Sequence, residues 1–288
     1  MSPALKGALY GLLGFGIFSV CDATIKHLGG SYSPVQIVAF MCLFTLPMIG
    51  ALWLARPVSM RPVHPVLMAI RTAAMIGNVL LITYAFTVLP LAQAYAIFFT
   101  LPLILTLLAW PLLGDRVDLV GGVAVIIGLA GVLVALTPGR VEFDIGHLAA
   151  VGGVVLAAVH YLIVRKTGGA EATVPMLFYP VFGQTISAFL ILPGSYVPMP
   201  AADLGIMVLL AAGGFAGTLL MLAAYRIAAP VIVAPTQYTQ IGWAALFGAL
   251  FFDEPMTLDA VLGMGIIAAS GVIIVIRQNR PPNLPQTA

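Results

Sequence analysis

Charge is scarce in this sequence. Of its 288 residues only 8% are Asp, Glu, Lys or Arg, where a soluble domain carries roughly 25%. A soluble fold is excluded on that ground, and the solvent for most of the surface must be lipid. The formal net charge of +2 gives no reason to expect a nucleic-acid partner. Cysteine is scarce too. Cys21 and Cys42 both lie inside apolar runs, which argues against a disulfide framework. The four histidines, His27, His64, His147 and His160, are dispersed, and no HExxH or paired aspartates occur, so no metal or cofactor is expected. No P-loop is present, so ATP is not the direct energy source. No Lys or Arg lies near the centre of an apolar run, which disfavours multiply anionic solutes. No carboxylate lies there either, which disfavours antiport of lipophilic cations against protons.

What is present is apolar length. The chain is 61% hydrophobic with mean hydropathy +1.11. A helix needs about 20 apolar residues to cross roughly 30 Å of hydrocarbon. Ten runs meet that rule: 4–25, 34–54, 66–87, 91–112, 118–136, 145–164, 174–192, 204–226, 231–251 and 258–276. The first looks superficially like a signal peptide. No small-x-small cleavage site follows, and Val20 stands where a lipoprotein site wants a small residue, so it reads as a retained membrane helix. With the N-terminus inside, ten of the twelve basic residues fall on the inner side and only Lys26 and Arg140 outside. This positive-inside bias predicts both termini in the cytoplasm of a bacterial inner membrane.

A shift of 139 positions aligns the two halves of the chain. It pairs Gly7 with Gly146, Gly14 with Gly153, Lys26 with Arg165, Phe99 with Tyr238, Thr100 with Thr239 and Asp115 with Glu254. Five runs per half is an odd number, so the second half enters the membrane upside down. The expected architecture is all-α: ten transmembrane helices as two inverted five-helix repeats, 1–137 and 138–279, with a short cytoplasmic tail at 280–288.

The two runs that match across the halves, 91–116 and 230–255, share one design: polar residues early, a long apolar stretch, then charges. They end in Gly114-Asp115-Arg116 and Asp253-Glu254-Pro255, and Pro102 lies in the middle of the first. With the ten-run pattern, these features resemble the EamA-type carriers of the drug/metabolite transporter (DMT) superfamily. The usual ending there is Gly-Glu-Arg. The first copy here has Asp for Glu, and the second has Asp for Gly and Pro for Arg. The resemblance covers nearly the whole chain. It implies export of amino acids and other small metabolites through a central cavity lined mainly by helices 1, 3, 4, 6, 8 and 9, nearest to the YddG-like amino-acid exporters.

Polar groups inside the membrane are the candidate substrate contacts. Thr236, Gln240 and Trp243 share one helical face with Phe247, and Gln237 and Tyr238 sit beside it. Gln93 and Thr100 share a face of the matching run, with Tyr95 off that face and Phe99 next to Thr100. Asn78 and Tyr84 fall in mid-membrane on the third run. The competing reading for each is an interhelical hydrogen bond, worth only about 0.6 kcal/mol. Asp22, four residues before Lys26, reads as half of a helical ion pair, with a proton or substrate site as the alternative. His160 reads as a buried structural histidine or a titrating group, and Arg71 as an anchor snorkelling to the cytoplasmic surface. Gly213, Gly217 and the Gly7–Gly11 pair read as close helix packing. The unequal polarity of the two matching runs predicts an asymmetric cavity in which 236–243 supplies most contacts.

The expected function is a secondary active or facilitative transporter, not an enzyme. It exports small neutral or zwitterionic metabolites, foremost amino acids, by alternating access around a midplane cavity. The alternative is an exporter of other small metabolites or drugs with proton coupling. A membrane-embedded enzyme or a channel is the remote alternative. The partners are a small-molecule substrate and the bilayer. A monomer is expected to suffice, with oligomerisation left open.

Overall fold

The computed structural model describes residues 2–113, 119–136, 143–167, 170–228 and 230–278. The expected charged turn Gly114-Asp115-Arg116, Arg140 and the tail lie outside the described residues. Every regular element among the described residues is helical. The first half holds α1 (Pro3–Gly29), α2 (Pro34–Ala55), α3 (Pro65–Val88), α4 (Leu91–Phe98), α5 (Leu101–Leu113) and α6 (Leu119–Leu136). The second holds α7 (Ile145–Thr167), α8 (Thr173–Ile191), α9 (Ala201–Ile227), α10 (Pro230–Val233), a 3₁₀ segment (Ala234–Thr239), α11 (Gln240–Phe251) and α12 (Leu258–Gln278). Serine then proline opens α1 and α2 alike. Ser2 and Ser33 accept from the backbone N–H of Leu5 and Gln36 at 3.3 Å, and the proline needs no partner at the first helical position.

Six of these helices, α1, α2, α3, α7, α8 and α9, are long and apolar enough to cross a membrane. Their outer faces are greasy: Leu190 is 76% exposed and Leu209 72%. In water such faces would aggregate; in lipid they are solvated.

The runs 91–112 and 231–251 were expected as continuous helices, and both are broken. The first parts into α4 and α5 at Phe99–Thr100; the second passes through the 3₁₀ segment between α10 and α11. A proline stands at each break. Pro102 has no N–H for the carbonyl of Phe98, and Pro235 none for that of Val231. The backbone tightens to i→i−3 bonds there: Thr100 N–H donates to Ile97 at 3.0 Å and Leu103 N–H to Thr100 at 2.9 Å. The two breaks sit at matching places under the 139-residue shift.

Packing follows the same shift. The main contacts join α6 with α12, α3 with α7, α1 with α9 and α2 with α8. The shift turns α1 into α7 and α3 into α9, so α1–α9 and α7–α3 are counterparts. Because lipid is as apolar as any side chain, these contacts depend on close approach at small residues. The expected glycine packing of α1 on α9 is present. A Cβ on Gly7 would lie 2.2 Å from Ala228 Cβ, and one on Gly217 2.7 Å from Phe18. The tightest backbone approach joins α12 to α6, where a Cβ on Gly263 would lie 2.3 Å from the Ala135 nitrogen and 2.5 Å from the Gly131 oxygen. Backbone cannot yield as a side-chain tip can. Gly263→Ala should therefore cost about 2–3 kcal/mol. Gly265→Ala, whose Cβ meets nothing within 4 Å, should stay within about 0.5 kcal/mol of the parent. Thermal unfolding of the purified protein in detergent separates them, and equal tolerance would show that α6 and α12 do not pack this closely.

Arg71 does not snorkel outward. It is 7% exposed, and its Nη1 donates to the Met176 carbonyl on α8 at 2.7 Å.

Candidate functional site

A cavity of about 220 Å³ lies between the two halves of the chain. Its polar groups are Asp22 on α1, Tyr95 on α4, Gln237 on the 3₁₀ segment and Gln240 at the start of α11. Phe18, Phe86 and Phe98 supply aromatic walls, and Val154 and Ala157 of α7 close it from the second half. Tyr95 OH donates to Asp22 Oδ2 at 2.6 Å. The ring of Tyr95 is held from behind, stacked on Phe99 at 5.7 Å and edge-on to Phe86 at 5.7 Å. One oxygen of a partly buried carboxylate is thus fixed by a phenol, with two side-chain amides on the facing segment. The 3₁₀ geometry explains why Gln237 and Gln240 work together: at three residues per turn they point the same way.

One turn beyond Asp22, the last turn of α1 carries a charged cluster. Lys26 Nζ pairs with Glu254 Oε1 at 2.9 Å and donates to the Leu89 carbonyl at 2.7 Å. Glu254 Oε2 accepts the N–H of Leu91, the first residue of α4, at 3.2 Å. The ammonium also lies 5.3 Å from the centre of the Phe252 ring. The expected Asp22–Lys26 helical pair is therefore replaced. Lys26 finds its carboxylate on the α11–α12 turn, and Asp22 is left facing Tyr95 and the cavity. An acid does line this site, contrary to the expectation drawn from its position one turn from the end of the run.

The structure sorts the other candidates. Phe99 and Tyr238 stand behind the cavity wall, 5.5 Å apart and edge-to-face. The hydroxyls of Thr100 and Thr236 donate to carbonyls of their own segments, Ile97 and Val233, both at 2.6 Å, so they steady the breaks. Asn78 Nδ2 donates to the Gly153 carbonyl at 2.8 Å, joining α3 to α7. Gln93 faces away, its Oε1 3.1 Å from His147 Nε2. Trp243 stacks on Phe247 at 5.4 Å and lies over Gly16. His160 is buried with its ring edge-on to Tyr161 at 4.9 Å. Tyr84, Trp243 and His160 do not line the cavity. Of the two matching runs, Tyr95, Phe98 and Leu101 line the cavity from one and Gln237 and Gln240 from the other. Sequence reasoning missed Phe18, Ile82 and Phe86. Phe18 lies one turn before Asp22, and that spacing was the available signal.

Residues 5–137 match the EamA-like transporter family. The chain is similar to human "Solute carrier family 35 member G1", 26% identical over 94% of this chain and 79% of that protein. It is also similar to the "S-adenosylmethionine uptake transporter" of Rickettsia prowazekii, 23% identical over 97% of each chain. An "Uncharacterized transporter" of Helicobacter pylori is 22% identical over 90% of this chain and 91% of its own. A crystal structure at 19% identity superposes with a TM-score of 0.67 over 95% of this chain and 99% of its own, which shows the fold. The broken apolar helices, the cavity between the halves and these likenesses agree: the chain is an integral-membrane transporter, not an enzyme, similar over nearly its whole length to transporters of the drug/metabolite type, with an EamA-like domain over residues 5–137.

Proposed function

We propose that this transporter carries small zwitterionic metabolites of the α-amino-acid type, binding them at the Asp22–Tyr95–Gln237–Gln240 cavity. The observation that carries the reading is the Asp22 carboxylate, with one oxygen held by Tyr95 and an aromatic wall around it. In this reading a solute ammonium approaches Asp22, and the amides of Gln237 and Gln240 donate to the solute carboxylate. At about 220 Å³ the cavity is below the roughly 300–1,000 Å³ of sites for drug-sized ligands, which favours a small solute.

Movement is by alternating access, the halves 1–137 and 138–279 acting as inverted repeats that rock about the site. The exchange-related packing of α1–α9 and α3–α7 supports this, as do the two breaks at matching positions. Discontinuous helices are a recurring way to build a midplane site. The orientation follows the positive-inside bias, with both termini in the cytoplasm of a bacterial inner membrane and Lys26–Glu254 closing the outward side. Export is the proposed direction, as the resemblance to the EamA-type exporters implies.

The similarity to proteins named S-adenosylmethionine uptake transporters favours one second reading, because that compound carries the same α-amino-acid head. Proteoliposomes with the purified protein test both. Labelled alanine, leucine, methionine, phenylalanine and S-adenosylmethionine are offered with and without a pH gradient. Saturable uptake of the neutral amino acids is expected. Uptake of S-adenosylmethionine alone favours the second reading, and uptake of none sinks both.

A further inference from the structure

A second cavity, of about 260 Å³, lies beside the first, among α1, α2, α3, α8 and α9. Its walls include Phe18, Met41, Ile49, Met75, Leu177 and Phe215. None of the described residues lining it is charged, and its polar groups are engaged within the protein. Asn78 Nδ2 donates to Gly153, and Gln184 Nε2 to the Met75 carbonyl at 3.0 Å. The Thr45 and Thr218 hydroxyls donate to carbonyls one turn back, both at 2.8 Å. This is a chamber for apolar matter.

The two chambers adjoin at a shared wall. Phe18 is a wall of both. On α3, Asn78 lines the second chamber, while Ile82 and Phe86, one and two turns on, line the first. On α1, Asp22 lies one turn beyond Phe18. The Phe18 ring stands at the junction, seated in the notch left by Gly217 and edge-on to Phe15 at 6.2 Å.

Resting on the reading that Asp22 receives the solute's amino group, we propose that the second chamber is the subsite for the solute's apolar side chain. Phe18 is the partition that limits how much of that side chain enters. The class selected is the α-amino acids with aliphatic or thioether side chains. Among the described residues each amide and threonine hydroxyl of the chamber already bonds within the protein, so a polar tail gains little there, and each added methylene buried there strengthens binding about fourfold.

Gly214 supplies the test. It lines the second chamber, and a Cβ built on it meets nothing within 4 Å, so the side chain of Gly214→Val starts in open space and takes up chamber volume. Alanine, norvaline and norleucine compete for labelled leucine uptake in proteoliposomes of the full-length protein. In the parent, competition should strengthen about fourfold per methylene. In Gly214→Val the norleucine-to-alanine ratio should fall at least tenfold; in Phe18→Ala it should rise. A ratio measured within one preparation does not depend on how much of each variant folds. If the series is flat in the parent, or as steep in Gly214→Val as in the parent, the subsite is overturned while amino-acid transport stands. If no amino acid is transported, the Asp22 reading falls and the subsite with it.

Discussion

Asp22→Asn is expected to reduce amino-acid uptake about 100-fold at equal protein in the liposome. The substitution keeps the size of the side chain and leaves an oxygen for the Tyr95 hydroxyl, 2.6 Å away in the parent. It removes only the charge. A hydrogen bond to a charged group is worth about 1.5–3 kcal/mol, and more where the partner is left buried and unmatched. Each 1.4 kcal/mol is a factor of about ten, so a loss between one and two decades follows from the ammonium contact alone. Tyr95→Phe should cost less, about tenfold, because Asp22 keeps its charge but loses its orienting donor. Uptake by Asp22→Asn at the parental rate would remove the carboxylate from the mechanism. The order matters too: if Tyr95→Phe is the more damaging, the phenol rather than the carboxylate meets the solute.

Lys26→Met is expected to lower the unfolding temperature by about 4–8 °C, and a charge-reversed double variant is expected not to restore it. Removing one partner of a buried pair costs about 3–5 kcal/mol. Here the side chains are 10% and 25% exposed, so solvent screens part of the loss and about 2 kcal/mol is the better figure. For a chain of this size each kcal/mol shifts the midpoint by about 2–4 °C. The failure of reversal has a backbone cause. Lys26 donates to the Leu89 carbonyl and Glu254 accepts from the Leu91 N–H. In Lys26→Glu/Glu254→Lys a carboxylate would face the carbonyl and an ammonium the N–H, both repulsive. Lys26→Arg should hold most of the stability, since guanidinium donates to both partners. Recovery in the reversed pair would mean that only the ion pair counts and the two backbone contacts do not.

The helices are legible in the sequence because lipid permits few alternatives. Backbone groups in hydrocarbon must bond within their own segment, so an apolar run of about 20 residues is helical. The expected run 34–54 meets α2 at Pro34–Ala55, and 258–276 meets α12 at Leu258–Gln278. The breaks were written in Pro102 and Pro235, but a proline in a membrane helix can also kink it without breaking it, so their depth was not readable. The site was legible in part. Tyr95, Gln237 and Gln240 stand out as polar groups at membrane depth and do line the cavity. Thr100 and Thr236 stand out equally, yet a threonine hydroxyl can satisfy itself on its own helix, and these do. Asp22 misled because its nearest cation in sequence is Lys26. The partner each finds is distant in the chain, Tyr95 for one and Glu254 for the other. Local spacing states which pairs can form, and tertiary packing decides which do.

A continuous helix spanning the bilayer behaves as a rod: a push at one end tilts the other. The interruptions at Phe99–Thr100 and Ala234–Thr239 cut each rod into two levers on a compliant joint. Tyr95 rides on the short arm α4 and Gln237 on the joint itself, while α5 is seated against α6 and α7, and α11 against α1. Arrival of a solute can then be felt as a tilt of one or two turns instead of a displacement through the full thickness of the membrane. In the proposed alternating-access cycle the mechanical work of each turnover would then stay small, and the perimeter, α6 packed on α12 and α2 on α8, would be the frame against which the short arms bend.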